Sequence, residues 1–350
     1  MTDLIRYRRQ ITLFGAENQR KLADAHVAVI GAGGLGSPAL LYLAGAGVGT
    51  VTIIDDDVVD TSNLHRQVIH TTAGVGRPKA ESAAEAMREL NPEVSLRLFA
   101  QRLTWANARE AFEGADLIMD GADNFDTRHI ASTSAARLGI PHVWGSILGH
   151  EAQTSVFWAG HGPVYEDVFA APPPPGAVPS CSQAGVLGPL VGVIGSTMAL
   201  EALKLLTGLG TPLLGRLGYY DGMAGTWEYV PLTANPAVTR RLLSEEPARQ
   251  EPAVTVSVAE VDEIPENAVL IDVRELEEVA HFAIPGSVHV PLGEILAGTV
   301  PAEIDTERPV VVYCAGGVRS ARAVEALTKQ GHAGLLSLRG GIDAWLEAQA

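Results

Sequence analysis

Residues 27–57 read VAVIGAGGLGSPALLYLAGAGVGTVTIIDDD. Val27–Ile30 is a short apolar run of strand type, and Gly31-Ala32-Gly33-Gly34-Leu35-Gly36 is a G-x-G-x-x-G turn. An apolar helix-like segment follows from Pro38 to about Ala46, and a β-branched run, Val51–Ile54, ends in Asp55. Together these make one βαβ unit of the nucleotide-binding kind. Gly31, Gly33, Gly34 and Gly36 let the backbone come close to phosphate, and the helix N-terminus offers it unpaired N–H groups. Asp55 lies nineteen residues after Gly36, where a ribose-binding acid is expected about 20 residues on. Alone, the unit suits a dehydrogenase equally well, so the remainder of the chain has to decide.

Composition narrows the field. A chain of 350 residues with 47% hydrophobic content can bury two cores, or three. A net charge of −16 repels nucleic acid and anionic membrane, so an anionic substrate must be drawn in by local basic residues. No uninterrupted apolar run of about 18 residues marks a membrane span, and MTDLIRYRRQ has no apolar stretch of secretory type. Two cysteines, Cys181 and Cys314, are too few for a disulfide scaffold and suit a reducing cytoplasm.

From residue 58 the chain alternates. Asn63-Leu64-His65-Arg66-Gln67 lies in a loop, and Gly76-Arg77-Pro78-Lys79 stands ahead of a helix over Ala80–Leu90. A strand Leu117–Asp120 ends in Gly121-Ala122-Asp123-Asn124, and in an open α/β sheet ligands sit at such carboxyl ends. Pro172–Pro175 is a stiff, extended run. Gly185–Leu206 reads as a helix apolar nearly all round, hence buried, and short of membrane length. Leu217–Val230 reads as paired strands. Residues 236–256, polar and with three prolines, read as a linker. A second α/β pattern begins near Val258.

The N-terminal 235 residues resemble the MoeB/ThiF/MoeZ adenylyltransferases, bacterial relatives of ubiquitin-activating enzymes. The motifs are R-Y-x-R-Q at Arg6–Gln10, the GAGGLG turn, D-x-D at Asp55–Asp57, S-N-L-x-R-Q at Ser62–Gln67, G-x-P-K at Gly76–Lys79, D-x-x-D-N at Asp120–Asn124 and S-C-x-x-A-G-V-L-G at Ser180–Gly188. The proline run is most like the MoeZ branch. The resemblance implies a Rossmann-like α/β adenylation domain that joins ATP to the C-terminal glycine of a ubiquitin-like sulfur carrier ending in Gly-Gly. It implies that Asp55 holds the ribose and that Arg66, Lys79 and Asn63 hold phosphates. Asp57 and Asn124 belong to the same nucleotide set, and Asp123 would bind Mg²⁺. Arg9 would reach the phosphate end of a partner subunit's site, which implies a homodimer. A dehydrogenase would not need Arg66, Lys79 and Asp123 converging near a triphosphate. Many relatives bind zinc through two C-x-x-C pairs. The corresponding places here, Val164–Asp167 and just beyond Asn235-Pro236, hold no cysteine, so no zinc is expected.

Residues 257–350 resemble a single small α/β rhodanese domain. The pieces are Ile271–Glu275, Ile284–Ser287, Val311–Ser320 and Gly340–Trp345. Phe282-Ala283 stands where G-H is usual. Cys314 ends a strand and precedes a helix, and the loop Cys314-Ala315-Gly316-Gly317-Val318-Arg319 makes an anion nest suited to a persulfide. Its C-x-x-x-x-R spacing is one residue shorter than a tyrosine-phosphatase cradle. Cys181, by resemblance, resolves an acyl persulfide or forms an acyl link to the carrier. The expected sulfur donor is thiosulfate or a cysteine desulfurase. Molybdopterin, thiamine and cysteine pathways all use such carriers. The competing expectation is an activating or conjugating module whose rhodanese domain only docks a partner.

Overall fold

The computed structural model describes residues 5–171, 185–244, 258–304 and 308–349. These form two compact units, one ending at residue 244 and one beginning at 258.

In the first unit α1 (Arg8–Asp24) leads into β1 (His26–Ile30), α2 (Gly36–Ala46) and β2 (Thr50–Ile54). Then come α3 (Lys79–Leu90), β3 (Ser95–Phe99), α4 (Ala108–Ala111), β4 (Leu117–Asp120), α5 (Phe125–Leu138), β5 (His142–Leu148) and β6 (Glu151–Phe157). The described chain resumes with α6 (Gly188–Thr207), β7 (Arg216–Asp221), β8 (Thr226–Pro231) and α7 (Pro236–Ser244). The strand order is β3-β2-β1-β4-β5-β6-β7-β8, parallel from β3 to β5 and antiparallel from β5 onward.

β1 is buried along its whole length because helices cover both faces of the sheet. Its side chains alternate, as strand geometry requires. Val27 and Val29 pack with Leu40, Leu43, Ile194 and Met198, while Ala28 and Ile30 pack with Phe112, Ile118 and Ile130. The glycine turn is close to a steric limit. Gly31 has φ +88°, and a Cβ on Gly36 would lie 1.8 Å from the Gly31 carbonyl oxygen. Only glycine lets α2 start there.

α1 is two helical pieces joined at Gly15 (φ 86°, ψ 160°). Two features differ from the sequence reading. α7 and α6 account for them. α7 forms inside the stretch read as linker, and Arg137 Nε donates to its Leu242 carbonyl at 3.0 Å. The segment read as short of membrane length forms α6, whose 20 residues are long and apolar enough to cross one. Half of it is buried inside the fold. Its Glu201, 2% exposed, pairs with Lys204 and accepts the Leu213 N–H at 2.7 Å.

The second unit contains β9 (Ala259–Val261), β10 (Val269–Asp272), α8 (Leu276–His281), β11 (Val288–His289), α9 (Leu292–Leu296), β12 (Val310–Tyr313), α10 (Val318–Lys329), β13 (Leu335–Leu338) and α11 (Gly341–Gln349). Its sheet, β11-β10-β12-β13-β9, is parallel throughout. β12 is central and fully buried. Asp272 and Arg274 form a buried, doubly bonded ion pair at the end of β10, with Arg274 Nη2 also donating to the Phe282 carbonyl at 2.8 Å.

Candidate functional sites

A cleft crosses the carboxyl ends of β3, β2, β1, β4 and β5. Gly31, Gly33 and Gly34 line its floor, together with Asp55, Asp57, Arg66, Lys79, Asp123 and Asn124. Asp55 and Asp57 follow β2, Asp123 and Asn124 follow β4, Lys79 begins α3, and Arg66 lies in the loop between β2 and α3. Ala32 is held through both of its backbone polar groups. Its N–H donates to Asp55 Oδ2 at 2.7 Å, and its carbonyl accepts from His70 Nε2 at 2.9 Å. Asp55 Oδ1 takes the Asp57 N–H at 2.9 Å. Burial raises the Asp55 carboxyl above its ordinary range, against the opposing pull of these N–H groups and of Lys79. Each oxygen keeps a lone pair for a hydroxyl.

Lys79, 6% exposed at the first position of α3, pairs with Asp57 at 2.9 Å. Arg66 is half-buried and donates to the Ser62 carbonyl at 3.0 Å. These are the two cations expected at a triphosphate, and the cleft brings them together. Asp123 is exposed to the cleft, where one carboxylate could hold a hard cation that keeps most of its ligands as phosphate and water. Asn124 lines the cleft but its Oδ1 caps α5, accepting the Thr127 N–H at 2.9 Å. Asn63 does not line it; its Oδ1 accepts the Asp60 N–H within the local turn at 3.3 Å. Gly36 lies just behind the wall. Arg9 is exposed on the first turn of α1, outside the cleft of its own chain. Cys181 lies outside the described residues.

Sequence reading missed several wall residues. Arg128, 8% exposed, donates through Nε and Nη2 to the Ala122 carbonyl and through Nη2 to Ser146 Oγ at 3.1 Å, with Phe125 and Trp144 against its guanidinium. It fixes the turn that presents Asp123. Asp120 does the same from below, accepting from the Ala122 N–H at 2.9 Å and from His142 Nε2 at 3.1 Å. Gln67 stood in the S-N-L-x-R-Q motif without a role, and His70 and Ser146 went unread. Only the position of Arg128, four residues after the helix cap Asn124, gave a signal: it faces the same side as the cap.

Asp167 joins the segment at Val164 to the one at Asn235. Its Oδ2 accepts the Val164 N–H at 2.8 Å and its Oδ1 the Asn235 N–H at 3.1 Å. Tyr165 packs against Trp144 and Phe157 in a small aromatic core, and burial pushes its phenol up to about 12.

In the second unit Cys314 is 1% exposed, directly after β12. Its Sγ accepts from the Gly317 N–H at 3.2 Å and the Ser320 N–H at 3.4 Å. The loop carbonyls turn the other way. Cys314 O accepts from Ile342 N at 2.8 Å and Ala315 O from Asp343 N at 3.2 Å, so the start of α11 takes the acceptors and the donors face the sulfur. A Cβ on Gly341 would lie 2.1 Å from Ala315 O, which accounts for glycine there. Ser320 Oγ donates to the Gly317 carbonyl at 2.7 Å and meets Ser337 Oγ at 2.9 Å, bracing the turn. Arg319, the last residue of the loop, is engaged in a two-pronged pair with Glu278 of α8, at 2.6 and 2.7 Å. That pairing holds the Glu278 carboxyl below its usual range. Such a nest stabilises a sulfur anion or a persulfide through backbone dipoles.

Residues 7–240 match the model of the ThiF family, and residues 257–348 that of the rhodanese-like domain. The chain is 41% identical over 363 residues to the probable adenylyltransferase/sulfurtransferase MoeZ of Mycobacterium tuberculosis, covering 98% of this chain and 93% of that one. It is 36% identical to the adenylyltransferase and sulfurtransferase MOCS3 of Drosophila grimshawi, covering 98% and 84%. It is 45% identical to the sulfur carrier protein adenylyltransferase of Thermus thermophilus, covering 71% and 94%. Crystalline MccB of E. coli shares the fold at 22% identity, with a TM-score of 0.60 over 67% of this chain and 71% of that one.

Proposed function

The chain belongs to the ThiF family and carries a rhodanese-like domain after it, and from that membership we propose how its residues divide the work of an adenylyltransferase and sulfurtransferase. The enzyme activates the C-terminal glycine of a ubiquitin-like sulfur carrier with ATP and then transfers sulfur to it. The observation that carries the division is one chain holding both a nucleotide cleft with two converging cations and a cysteine in a donor-lined nest.

Asp55 takes the ribose hydroxyls, and the glycine turn, Arg66 and Lys79 take the phosphates. The carrier carboxylate attacks the α-phosphorus and pyrophosphate leaves, its charge met by Arg66 and Lys79. Asp123 would hold Mg²⁺, which neutralises phosphate charge when bound. Among the described residues no group of three or more His, Cys, Asp or Glu gathers, so the remaining ligands would be phosphate and water. Exposed Arg9 serves the cleft of a second copy, making the working form a homodimer. Cys314 carries the persulfide, whose outer sulfur attacks the adenylate carbonyl and displaces AMP. Cys181 then attacks the inner sulfur, leaving a thiocarboxylate on the carrier and a disulfide between the two cysteines. Thiosulfate or a cysteine desulfurase supplies the sulfur, in a reducing cytoplasm that regenerates the thiols.

The test is Cys314→Ala. Carrier-dependent exchange of pyrophosphate into ATP should be unchanged and sulfur transfer abolished. Sulfur transfer by this variant from the same donor would refute the division and favour a rhodanese domain that only docks.

A further inference from the structure

The loop that begins at Cys314 carries one cationic side chain, Arg319; between them stand Ala315, Gly316, Gly317 and Val318. That cation is already paired. Arg319 Nη1 and Nη2 donate to Glu278 Oε2 and Oε1 at 2.6 and 2.7 Å, and the two side chains are 22% and 28% exposed. The Glu278 hydrogen bonds, and behind them the charges of Cys314 and Glu275, hold the guanidinium protonated against the cost of burial. Arg274, the other cation in the field of Glu278, is itself bonded to Asp272. Two arginines therefore face three carboxylates around the nest, those of Glu278, Asp272 and Glu275. Arg322 lies exposed one turn farther along α10.

Sulfur donors differ in the charge they bring to this place. With any of them the Cys314 thiolate attacks the donor's sulfane sulfur, the donor's S–S bond breaks, and Cys314 becomes a persulfide without net oxidation or reduction. From thiosulfate the leaving group is sulfite, a dianion. From a persulfide on a protein it is a single cysteine thiolate. A sulfonate group is held by charge-assisted hydrogen bonds from an unpaired cation. Glu278 has taken the one cation the loop supplies. The N–H groups of Gly317 and Ser320 point at Sγ and serve the sulfur itself.

We propose that Glu278 selects the sulfur donor: by neutralising Arg319 it turns the nest away from small dianions such as thiosulfate and leaves it to a persulfide carried on a cysteine residue of another protein. Glu278 acts through Arg319 and is a positioning residue. Thiosulfate is then a slow donor that works at high concentration. The assignment rests on the reading of Cys314 as the cysteine that carries the persulfide.

The experiment uses the full-length enzyme without ATP or carrier and reads sulfur leaving Cys314 as thiocyanate formed from cyanide. Glu278→Gln keeps the shape and a hydrogen bond to Arg319 and removes the opposing charge. Its kcat/KM for thiosulfate should rise about tenfold, the effect of one released charge on a dianion at a half-exposed site, mostly through KM. The gain should shrink at about 0.5 M salt. Loss of a merely structural bond would lower the rate, not raise it. Glu275→Gln leaves the ion pair in place and should give a smaller rise, about twofold. Adding Arg319→Gln to Glu278→Gln should remove the gain. With the persulfide of a recombinant cysteine desulfurase, loaded from L-cysteine, Glu278→Gln should show no gain. No rise with thiosulfate in Glu278→Gln, or in Glu275→Gln should the first variant not fold, overturns the proposal. So does an equal rise with both donors, or a gain that outlasts Arg319→Gln and so belongs to Arg322. Each of these leaves the role of Cys314 standing. A parent enzyme whose Cys314 gains no sulfur from either donor, read by intact mass, overturns both.

Discussion

Replacing His70 by leucine tests how the phosphate turn is held. The Ala32 carbonyl can only accept, so the proton of His70 is on Nε2, and Nδ1 accepts from Ser82 Oγ at 2.9 Å. Leucine fills the space but leaves the Ala32 carbonyl and the Ser82 hydroxyl without partners. Each orphan costs about 1–3 kcal/mol, so about 2–6 kcal/mol is expected together. Part of it should appear as weaker ATP binding, because the freed carbonyl belongs to the same residue whose N–H steadies Asp55. Burial, and secondarily the Lys79 charge, lower the His70 pKa below its ordinary 6.5. The unfolded chain therefore binds a proton that the folded chain refuses, and stability falls as pH drops below 6.5 toward the folded value. His26, also lowered by burial, adds to the same loss. The gap between parent and His70→Leu should be widest at pH 7.5 and narrower at pH 5.5. Urea unfolding followed by tryptophan fluorescence reads it, since Trp105, Trp144, Trp158 and Trp227 lie in the first unit and only Trp345 in the second. Equal midpoints at pH 7.5, or a gap that widens in acid, would refute the reasoning.

Two other substitutions probe the frame. Gly36→Ala places a methyl 1.8 Å from the Gly31 carbonyl and should push α2 off the turn; a loss of at least about 1–3 kcal/mol together with ATP binding is expected by denaturation and nucleotide titration. Arg274→Met leaves Asp272 buried and unpaired, about 3–5 kcal/mol against the second unit; calorimetry should show only that unit's transition moving, with pyrophosphate exchange unaffected.

The parts of both sites made by backbone were legible in the sequence, because backbone geometry constrains residue type. A Cβ cannot fit at Gly36 or Gly341, and Asp55 must end its strand, so these residues announce themselves. Cys314 was legible for the same reason, standing between a strand and a helix. What stayed hidden depends on partners distant in the chain. His70 acts through Ala32, 38 residues away, and Arg128 through Ser146, 18 residues away, and neither spacing carries a periodicity. Asn63 and Asn124 show the converse: they stand in the expected motifs, yet the structure gives each a local turn or cap to hold. Helix α7 was unread because its apolar face is short and its proline at the first position looked like a break; proline is tolerated there.

The central claim is that one chain both activates a carrier and gives it sulfur. Its most direct test is the intact mass of a Gly-Gly carrier after incubation with the enzyme, Mg-ATP and thiosulfate. The account predicts a gain equal to replacing one oxygen by sulfur, dependent on ATP. Release of AMP with no carrier gaining sulfur, from thiosulfate or from a cysteine desulfurase, would contradict it.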